Sequence, residues 1–233
     1  MKRNYFFFLS AIMIMLLLAG CGGNANQYGN LSGTVVDDAS GLKFWDGEAT
    51  VAGRTAQIVD GKFEIQNIPA GTHTLKVSKA HYHDSTVRVH IDNKRNVVEV
   101  RMQPNYSDTQ LDLFARLVHA ESRGEVYEGQ VAVAATVLNR VKNPNYPNSL
   151  QGVITHRTSR YAQYSPIDDG SINRPASISA QNAVRDALAG WDPSRGATGF
   201  FAPAKVYNRR NWVWSQSPTI QVGNHRFFRG RED

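Results

Sequence analysis

The chain has 233 residues and a formal net charge of +6; 41% of its residues are hydrophobic and 20% are charged. This composition is typical of a globular protein and excludes an intrinsically disordered chain. The single cysteine excludes an intramolecular disulfide, so buried apolar surface must hold the fold together. Modest basicity suits anionic wall polymers or lipid headgroups. Because no block of Arg and Lys is present, we expect no nucleic-acid partner.

The N-terminal segment has the features of a secretory signal over residues 1–21. Lys2 and Arg3 precede an apolar run, and this run of about 15 residues is too short for a membrane-spanning helix. It ends at the small-small-Cys step Ala19-Gly20-Cys21. The step resembles a bacterial lipoprotein signal, which implies cleavage before Cys21 and lipid attachment at its thiol. An ordinary signal or anchor with an incidental cysteine is the alternative. We therefore expect an extracytoplasmic protein, anchored to a membrane by its lipid.

The next stretch predicts a tether and a β domain. Residues 22–30 are small and polar, which favours a flexible tether. Residues 31–103 alternate apolar and polar side chains in short segments separated by turn signals, which predicts a small all-β sandwich. The predicted strands are residues 34–36, 49–51, 57–59, 63–65, 74–77, 86–91 and 97–100.

This β stretch resembles the carboxypeptidase regulatory-like modules of surface proteins, which have a transthyretin-like or Ig-like sandwich. The resemblance rests on Gly33-Thr34-Val35, the Asp60-Gly61-Lys62-Phe63 hairpin and the Ile68-Pro69-Ala70-Gly71 turn. Four histidines lie on separate strands and loops without coordination spacing, so we expect them to face solvent and expect no metal site. They are His73, His81, His83 and His90.

A polar break at residues 103–108 contains Pro104 and predicts a domain boundary. Beyond it, the apolar period changes from two to about 3.6, so we expect a second, independent core over residues 109–230. A first helix begins at Ser107 or Asp108 and ends near Gly124, a buried second helix covers residues 128–141, and a third begins near Ser177 or Ser179.

The C-terminal tail predicts strands at residues 199–202, 212–214, 219–222 and 225–228. Gly223-Asn224 suits a tight turn between the last two strands. Helices followed by strands indicate an α+β domain. The whole chain is thus predicted to be an α+β multidomain protein, with a small all-β sandwich before a helical domain that has a C-terminal β lobe.

Several separated motifs of this second domain closely resemble the spore cortex-lytic family of bacterial cell wall hydrolases over residues 111–230. The resemblance implies a lysozyme-like catalytic domain that cleaves the glycan strand of peptidoglycan, with Glu121 as the catalytic acid. The motifs are residues 119–125, 128–134, 138–141, 163–166, 169–171, 187–193 and 200–204.

The chemistry of glycoside cleavage agrees with this role for Glu121. The leaving oxygen needs a proton, so a carboxylic acid must stay protonated near neutral pH. A carboxyl beside Leu117, Val118 and a buried helix can be partly desolvated, which raises its pKa. On residue physics alone, however, a single Glu is most often a solvated surface charge. We expect that role, or capping of the second helix, for Glu125 and Glu128.

A second carboxylate decides the reaction type. Asp168 and Asp169 are the nearest candidates, and hydrolysis by two carboxylates needs one of them to face Glu121. The family resemblance instead points to one Glu acting as acid and then base, while the sugar's own 6-hydroxyl attacks. We favour this lytic transglycosylase route, with both aspartates in loop structure or substrate contact.

The predicted substrate-binding residues combine polar side chains and aromatic rings. Aromatic side chains stack on sugars, although core packing is their commoner role. Trp212 and Trp214 would share one face of a strand. We expect glycan strands as partner and no cofactor, and the sequence identifies no protein partner. A non-catalytic wall-binding lipoprotein and a surface adhesin are the alternatives. The predicted substrate-binding set is Gln163, Tyr164, Ser165, Asp169, Phe201 and Trp214.

Overall fold

The structure, a computed structural model, describes residues 28–158 and 161–230. The predicted signal, the lipidation site Cys21 and most of the predicted tether lie outside the described residues. In the part of the chain that is described, no helix is long and apolar enough to cross a membrane. The first strand, β1 (Tyr28–Asp37), begins inside the predicted tether. Its first residues pair with a neighbouring strand, Tyr28 opposite Pro69, which composition alone does not reveal.

Seven strands form the N-terminal domain, as the alternating pattern predicts. The strands after β1 are β2 (Glu48–Val51), β3 (Arg54–Gln57), β4 (Lys62–Pro69), β5 (Gly71–Ser78), β6 (Ser85–Ile91) and β7 (Arg95–Met102). They form two sheets with the orders β4-β1-β7 and β3-β2-β5-β6. β1 pairs in parallel with β7, with Val35 opposite Val100, and the other pairs are antiparallel.

The two sheets bury their inward residues in a common core, which makes the domain a sandwich. Alternation places one side chain in two on the buried face, as Phe63 and Ile65 of β4 illustrate. Gly33 allows the sheet to pack closely, because a Cβ there would lie 2.2 Å from the Phe63 ring. The strand predicted at residues 57–59 is displaced, since β3 ends at Gln57 and Ile58 turns into the core.

Four helices follow, namely α1 (Asp108–Ser122), α2 (Tyr127–Lys142), α3 (Leu150–Ile154) and α4 (Ile178–Leu188). Ser107 and Gln110 form a capping box at the start of α1, which fixes the helix where the sequence predicts it. α2 is buried along nearly its whole length and packs against α1 and α4. No sequence pattern predicts α3, a single turn capped by Ser149.

The C-terminal lobe is a small antiparallel sheet of β8 (Gly199–Phe201), β9 (Ser217–Val222) and β10 (His225–Arg229), in the order β8-β10-β9. Gly223, at φ +57°, forms the predicted turn. The strand predicted at residues 212–214 is wrong: Trp212–Ser215 is a 3-10 helix. The Asn211 side chain caps it by accepting from the Val213 N–H at 3.2 Å, so Trp212 and Trp214 share no strand face.

The sandwich and the helical domain pack against each other. The Trp45 N–H donates to the Ala189 carbonyl at 2.9 Å, and the Trp45 and Trp191 rings stack with centroids 6.0 Å apart. Buried apolar side chains form one continuous cluster through both domains. This arrangement differs from the independent cores that the sequence predicts, because periodicity reports each element's buried face and not its distant partner.

His81 lies near this junction and does not face solvent as predicted. Its Nδ1 lies 2.7 Å from the Tyr106 hydroxyl, and its Nε2 is buried without a hydrogen-bond partner. Burial lowers the pKa of His81 to about 3, helped by the charges of Lys142 and Lys79. His81 is therefore a neutral packing residue at neutral pH, whereas His83 is exposed as expected.

Candidate active site

Glu121 lies in the last turn of α1, one residue before the helix ends. Leu117 and Val118 of the preceding turn are fully buried, and the Ser122 hydroxyl donates to the Val118 carbonyl at 2.6 Å. These contacts fix the helix end against the core. The Glu121 side chain is half-buried, and among the described residues no hydrogen bond reaches its carboxyl group.

The surroundings of Glu121 favour its protonated form. Burial, together with the negative charge of Asp169, raises the pKa of the carboxyl to about 7. The positive charges of Arg140 and Lys205 act in the opposite direction. Desolvation is the main cause, because an ionised carboxylate at this position loses much of its hydration. An acid with a pKa near 7 is protonated in about half of the molecules at pH 7 and can deliver its proton to a leaving group.

Arg140 of α2 is a buried cation beside the site. Its Nε donates to the Thr198 carbonyl at 2.5 Å, and its guanidinium lies 4.9 Å from the Tyr164 ring centroid and 5.1 Å from that of Tyr146. Its Nη1 is buried without a hydrogen-bond partner. Stacking between two rings holds a desolvated guanidinium in place, so Arg140 acts on Glu121 as a fixed charge.

Tyr164 is buried in the core, whereas the sequence predicts that it lines the surface of the groove. It is 3% exposed, beside Thr136 of α2 and beneath Arg140, and burial raises the pKa of its hydroxyl to about 12. A ring in this position has no free face for a sugar. Tyr164 is therefore a packing residue that holds Arg140 in place.

The loop after α3 carries the other predicted polar residues, all of them exposed. The Gln163 N–H donates to the His156 carbonyl at 2.8 Å, which anchors the loop ahead of Ser165. Asp168 forms an ion pair with Arg157 at 2.7 Å and accepts from the Ala162 N–H. The two 3-10 turns of this loop, residues 165–167 and 171–173, contact α1.

Asp169 is the carboxylate of this loop that acts on Glu121. It accepts a hydrogen bond from the Ser171 N–H at 2.8 Å, and hydrogen bonds from Ser171 hold its own pKa below the usual range. Asp169 is therefore ionised where Glu121 is protonated. Two carboxyl groups with opposite preferences are typical of acid-base sites.

Phe201 and Trp214 belong to the C-terminal lobe. Phe201 is 8% exposed and packs edge-on against Trp214 with ring centroids 4.8 Å apart. Trp214 is half-buried, and its indole N–H donates to the Val206 carbonyl at 3.2 Å. Phe201 therefore serves to position Trp214, which has the more accessible ring.

Glu125 is neither a solvated charge nor a helix cap, contrary to the prediction. Its side chain is 9% exposed, and its carboxylate accepts hydrogen bonds from the Asn224 backbone N–H at 2.8 Å and the Asn224 side chain at 3.3 Å. The His225 ring lies 4.0 Å away. Glu125 thus connects the β9–β10 turn to the start of α2. Glu125 and Asn224 are far apart in sequence, so residue spacing does not predict this contact. Glu128 is exposed, as expected.

Asp169, Arg140 and Lys205 are therefore the charged residues that act on Glu121, whereas Asp168 pairs with Arg157 in its own loop. Sequence reasoning did not single out Arg140 or Lys205. Arg140 belongs to the motif at residues 138–141, where an arginine in an otherwise apolar helix is a usable signal. Lys205 lies in an ordinary loop and offers no such signal.

Comparison with known proteins assigns the class of this domain. Residues 124–228 match the cell wall hydrolase family, a range that begins just after Glu121. The C-terminal half of the chain is therefore a cell wall hydrolase domain, as its motifs predict.

The relatives are spore cortex-lytic enzymes. The chain is 37% identical to that of Bacillus subtilis (strain 168) over 134 residues, 58% of this chain and 42% of the relative. It is 39% identical to that of Halalkalibacterium halodurans over 137 residues, 58% of this chain and 40% of the relative. The chain thus spans less than half the length of these curated relatives.

Among solved structures, a similar one is the catalytic domain of the germination-specific lytic transglycosylase SleB from Bacillus anthracis. The sequence identity is 37%, and the match covers 54% of this chain and 98% of that domain, with a TM-score of 0.48.

Proposed function

We propose that this protein cleaves the glycan strand of peptidoglycan at the MurNAc–GlcNAc bond, with Glu121 as the catalytic acid on a lysozyme-like domain. The observation that carries the proposal is the half-buried Glu121 at the end of α1, whose pKa is raised to about 7, in a domain homologous to spore cortex-lytic enzymes. With a pKa of about 7, a large fraction of this carboxyl stays protonated near neutral pH, which is the state that glycoside cleavage requires.

The reaction we favour is that of a lytic transglycosylase. Glu121 gives its proton to the glycosidic oxygen as the bond from C1 of MurNAc breaks, and the GlcNAc end departs as an alcohol. The resulting Glu121 carboxylate accepts the proton of the MurNAc 6-hydroxyl as that oxygen bonds to C1. The product is a 1,6-anhydro end, no water is consumed, and Glu121 regains its proton. The charges of Arg140 and Lys205 stabilise the carboxylate between the two steps.

A two-carboxylate muramidase is the alternative chemistry. Asp169 is the candidate for the second carboxylate, since it is ionised and acts on Glu121. Its hydrogen bonds to Ser171 favour a structural role in the loop instead. We place Asp169 with Gln163, Ser165 and Trp214 among the substrate contacts, while Tyr164 and Phe201 support them from the core.

We also infer that the protein works outside the cytoplasm on a lipid anchor at Cys21, with the sandwich, a carboxypeptidase regulatory-like module, next to the membrane. The short apolar run and the Ala19-Gly20-Cys21 step support this inference. Expressed in its host, a Cys21→Ser variant should be uncleaved or released. Recovery of that variant with membranes at the same processed size as the parent would contradict lipidation.

The activity is tested by Glu121→Gln, which keeps shape and hydrogen bonding but cannot transfer a proton. Product release from purified peptidoglycan should fall by about 10²–10⁴-fold, while folding and wall binding persist. Glu128→Gln is the matched control, because Glu128 is an exposed Glu of the same domain. Equal rates for parent and Glu121→Gln would disprove the assignment. A parent that binds wall but releases nothing would indicate the non-catalytic wall-binding protein.

The bond chemistry is read from the products of the parent by mass spectrometry. Anhydro-muramic ends, lighter by one water than hydrolysed ends, would support the single-Glu route. Reducing muramic ends as the main product would instead establish hydrolysis.

A further inference from the structure

The C-terminal lobe has a one-sided charge distribution. From Pro193 to Gly230 the sequence contains no Asp or Glu, and we call these residues the cationic lobe. Its lysine and arginine side chains form no ion pair with a carboxylate within the described residues. Unneutralised charges of one sign attract anionic ligands. They are Arg195, Lys205, Arg209, Arg210, Arg226 and Arg229.

Two of these arginines are held on one aromatic ring. The Arg209 guanidinium lies 3.8 Å from the centroid of the Trp214 ring, and that of Arg226 lies 5.7 Å away. Trp214 is fixed in turn by its hydrogen bond to Val206 and by the edge-on Phe201 ring. A guanidinium stacked on a ring keeps its N–H edge free, and that edge matches the two oxygens of a carboxylate. The stacking reduces the conformational freedom that Arg209 loses on binding.

Exposed aromatic rings flank the two arginines. Tyr207 is 88% exposed and Trp212 is 62% exposed. The rotamer of Trp212 is restricted, because its ring packs edge-on against Phe228 with centroids 5.8 Å apart. Large exposed rings on an ordered loop are unusual for a solvated surface and suit stacking on sugar faces. The cationic lobe thus combines a surface for carboxylates with a surface for sugars.

This surface continues to the candidate active site. The Thr198 carbonyl of the lobe accepts a hydrogen bond from the Arg140 Nε at 2.5 Å. Both Arg140 and the lobe's Lys205 act on the Glu121 carboxyl by their charge. A polymer bound at Glu121 therefore has the lobe within reach. A lipid surface offers anions but no sugar rings for Tyr207 and Trp212, so a polymer with both groups fits better.

We propose that the cationic lobe binds the free carboxylates of the stem peptides on the glycan strand at Glu121, so that the protein prefers peptide-bearing strands to stripped ones. Arg209 and Arg226 contact the carboxylates, and Trp212 stacks on a neighbouring sugar. This inference rests on the proposed function, because it names the substrate class of the same site.

The test measures binding by the full chain in detergent, carrying Glu121→Gln so that no strand is cut. The probes are purified glycan strands with stem peptides and the same strands after an amidase has removed the peptides. Peptide-bearing strands should bind about tenfold more tightly, the gain of one good charge-assisted contact. Arg209→Gln with Arg226→Gln should abolish the difference, and Arg54→Gln with Arg88→Gln, an equal charge change on the exposed sandwich surface, should preserve it.

A second arm changes the ligand and leaves the protein intact. Coupling the stem-peptide carboxylates to neutral amides should weaken binding as much as removing the peptides, even if the double variant does not fold. Equal binding of all three strand types would overturn the proposal. Tighter binding to phosphatidylglycerol vesicles than to peptide-bearing strands, lost in the Arg209/Arg226 variant, would overturn it in favour of a lipid surface.

The two proposals fail separately. If the protein without Glu121→Gln releases no product but peptide-bearing strands still bind preferentially, the catalytic proposal fails and the recognition proposal stands. Rapid release from peptide-bearing and stripped strands alike would give the opposite result.

Discussion

Glu121 shows how one side chain acquires a function from its position. Its raised pKa comes mainly from burial at the end of α1, with Asp169 adding to the shift and Arg140 and Lys205 opposing it. Each contribution comes from a different segment of the chain. The same carboxyl at a fully solvated position would be ionised at neutral pH.

The effect of Asp169 on Glu121 leads to a first prediction. Asp169→Asn removes a like charge, so the pKa of Glu121 should fall and the high-pH limb of the rate should move to lower pH. The maximal rate should change by less than about tenfold, since the single-Glu route does not use Asp169. Rates over the pH range around 7 measure both quantities.

Asp168→Asn is the matched control, because Asp168 pairs with Arg157 and does not act on Glu121. Its pH profile should follow the parent. A loss in Asp169→Asn as severe as that in Glu121→Gln would instead identify a second catalytic carboxylate.

A second prediction concerns the effect of Glu121 ionisation on the free energy of unfolding. The folded pKa of about 7 lies above the ordinary value of 4.5, so folding favours the protonated form, and the free energy of unfolding falls as pH rises from about 4.5 to about 7. Glu121→Gln, which stays neutral, should therefore increase the free energy of unfolding by up to about 3 kcal/mol at pH 8. The gain should vanish near pH 4, where both states are protonated. Urea unfolding at the two pH values decides this; a gain that does not depend on pH would exclude ionisation as its cause.

At the scale of elements, the Glu125 carboxylate joins the connection between α1 and α2 to the C-terminal hairpin. Glu125 lies between α1 and α2, yet its hydrogen bonds go to Asn224 in the β9–β10 turn. Gly223 makes this approach possible, because a Cβ there would lie 2.4 Å from the Glu125 carboxylate. The contact orients the sheet that carries the cationic lobe relative to Glu121.

A third prediction follows from this contact. Glu125→Ala leaves the Asn224 N–H without its acceptor and should lower the free energy of unfolding by about 1–3 kcal/mol. Glu128→Ala, three residues along at an exposed position, should cost within about 0.5 kcal/mol. Denaturant unfolding compares the two variants. Similar decreases in the free energy of unfolding would show that the contact between Glu125 and Asn224 does not stabilise the fold.

At the scale of the whole molecule, the sandwich is packed onto the catalytic domain. Besides the stacked Trp45 and Trp191 rings, Lys79 is buried beside the junction and pairs with Asp46 at 2.6 Å. Gly190, at φ +109°, lets α4 end against this pair, since a Cβ there would meet the Asp46 carboxylate. The sandwich is thus held against the helical domain by the stacked rings and by the close approach of Gly190 to Asp46.

The fourth prediction tests this packing. Trp45→Ala should lower the free energy of unfolding by about 1 kcal/mol, the scale of an aromatic pair, and should separate the unfolding of the two domains. Tyr28→Ala is the control, because Tyr28 is 55% exposed and Trp45 is 57% exposed, yet Tyr28 forms no ring pair among the described residues. Calorimetry resolves the transitions. One unchanged transition in Trp45→Ala would show that the stack does not couple the domains.

Local pattern in the sequence determined much of this protein. Alternation located six of the seven strands of the sandwich, all but β3. The period of 3.6 located α1, α2 and α4, and the capping residues Ser107 and Ser177 placed helix starts. These features depend on neighbouring residues, which is why a single sequence reveals them. Each of the separated motifs between residues 119 and 204 is likewise local, and together they indicated the cell wall hydrolase family that residues 124–228 match.

The tertiary structure alone decided which residues meet across the chain. Tyr164 is buried against Arg140, and Trp212–Ser215 forms a 3-10 helix in place of the predicted strand. Glu125, which was expected at the surface, binds the β9–β10 turn. The tertiary structure also places Asp169 and Lys205 where their charges act on Glu121, and it joins the two cores. The physical reason is common to all of these contacts: the energies of burial and charge depend on distance in space, and residues far apart in sequence carry no local pattern of their approach.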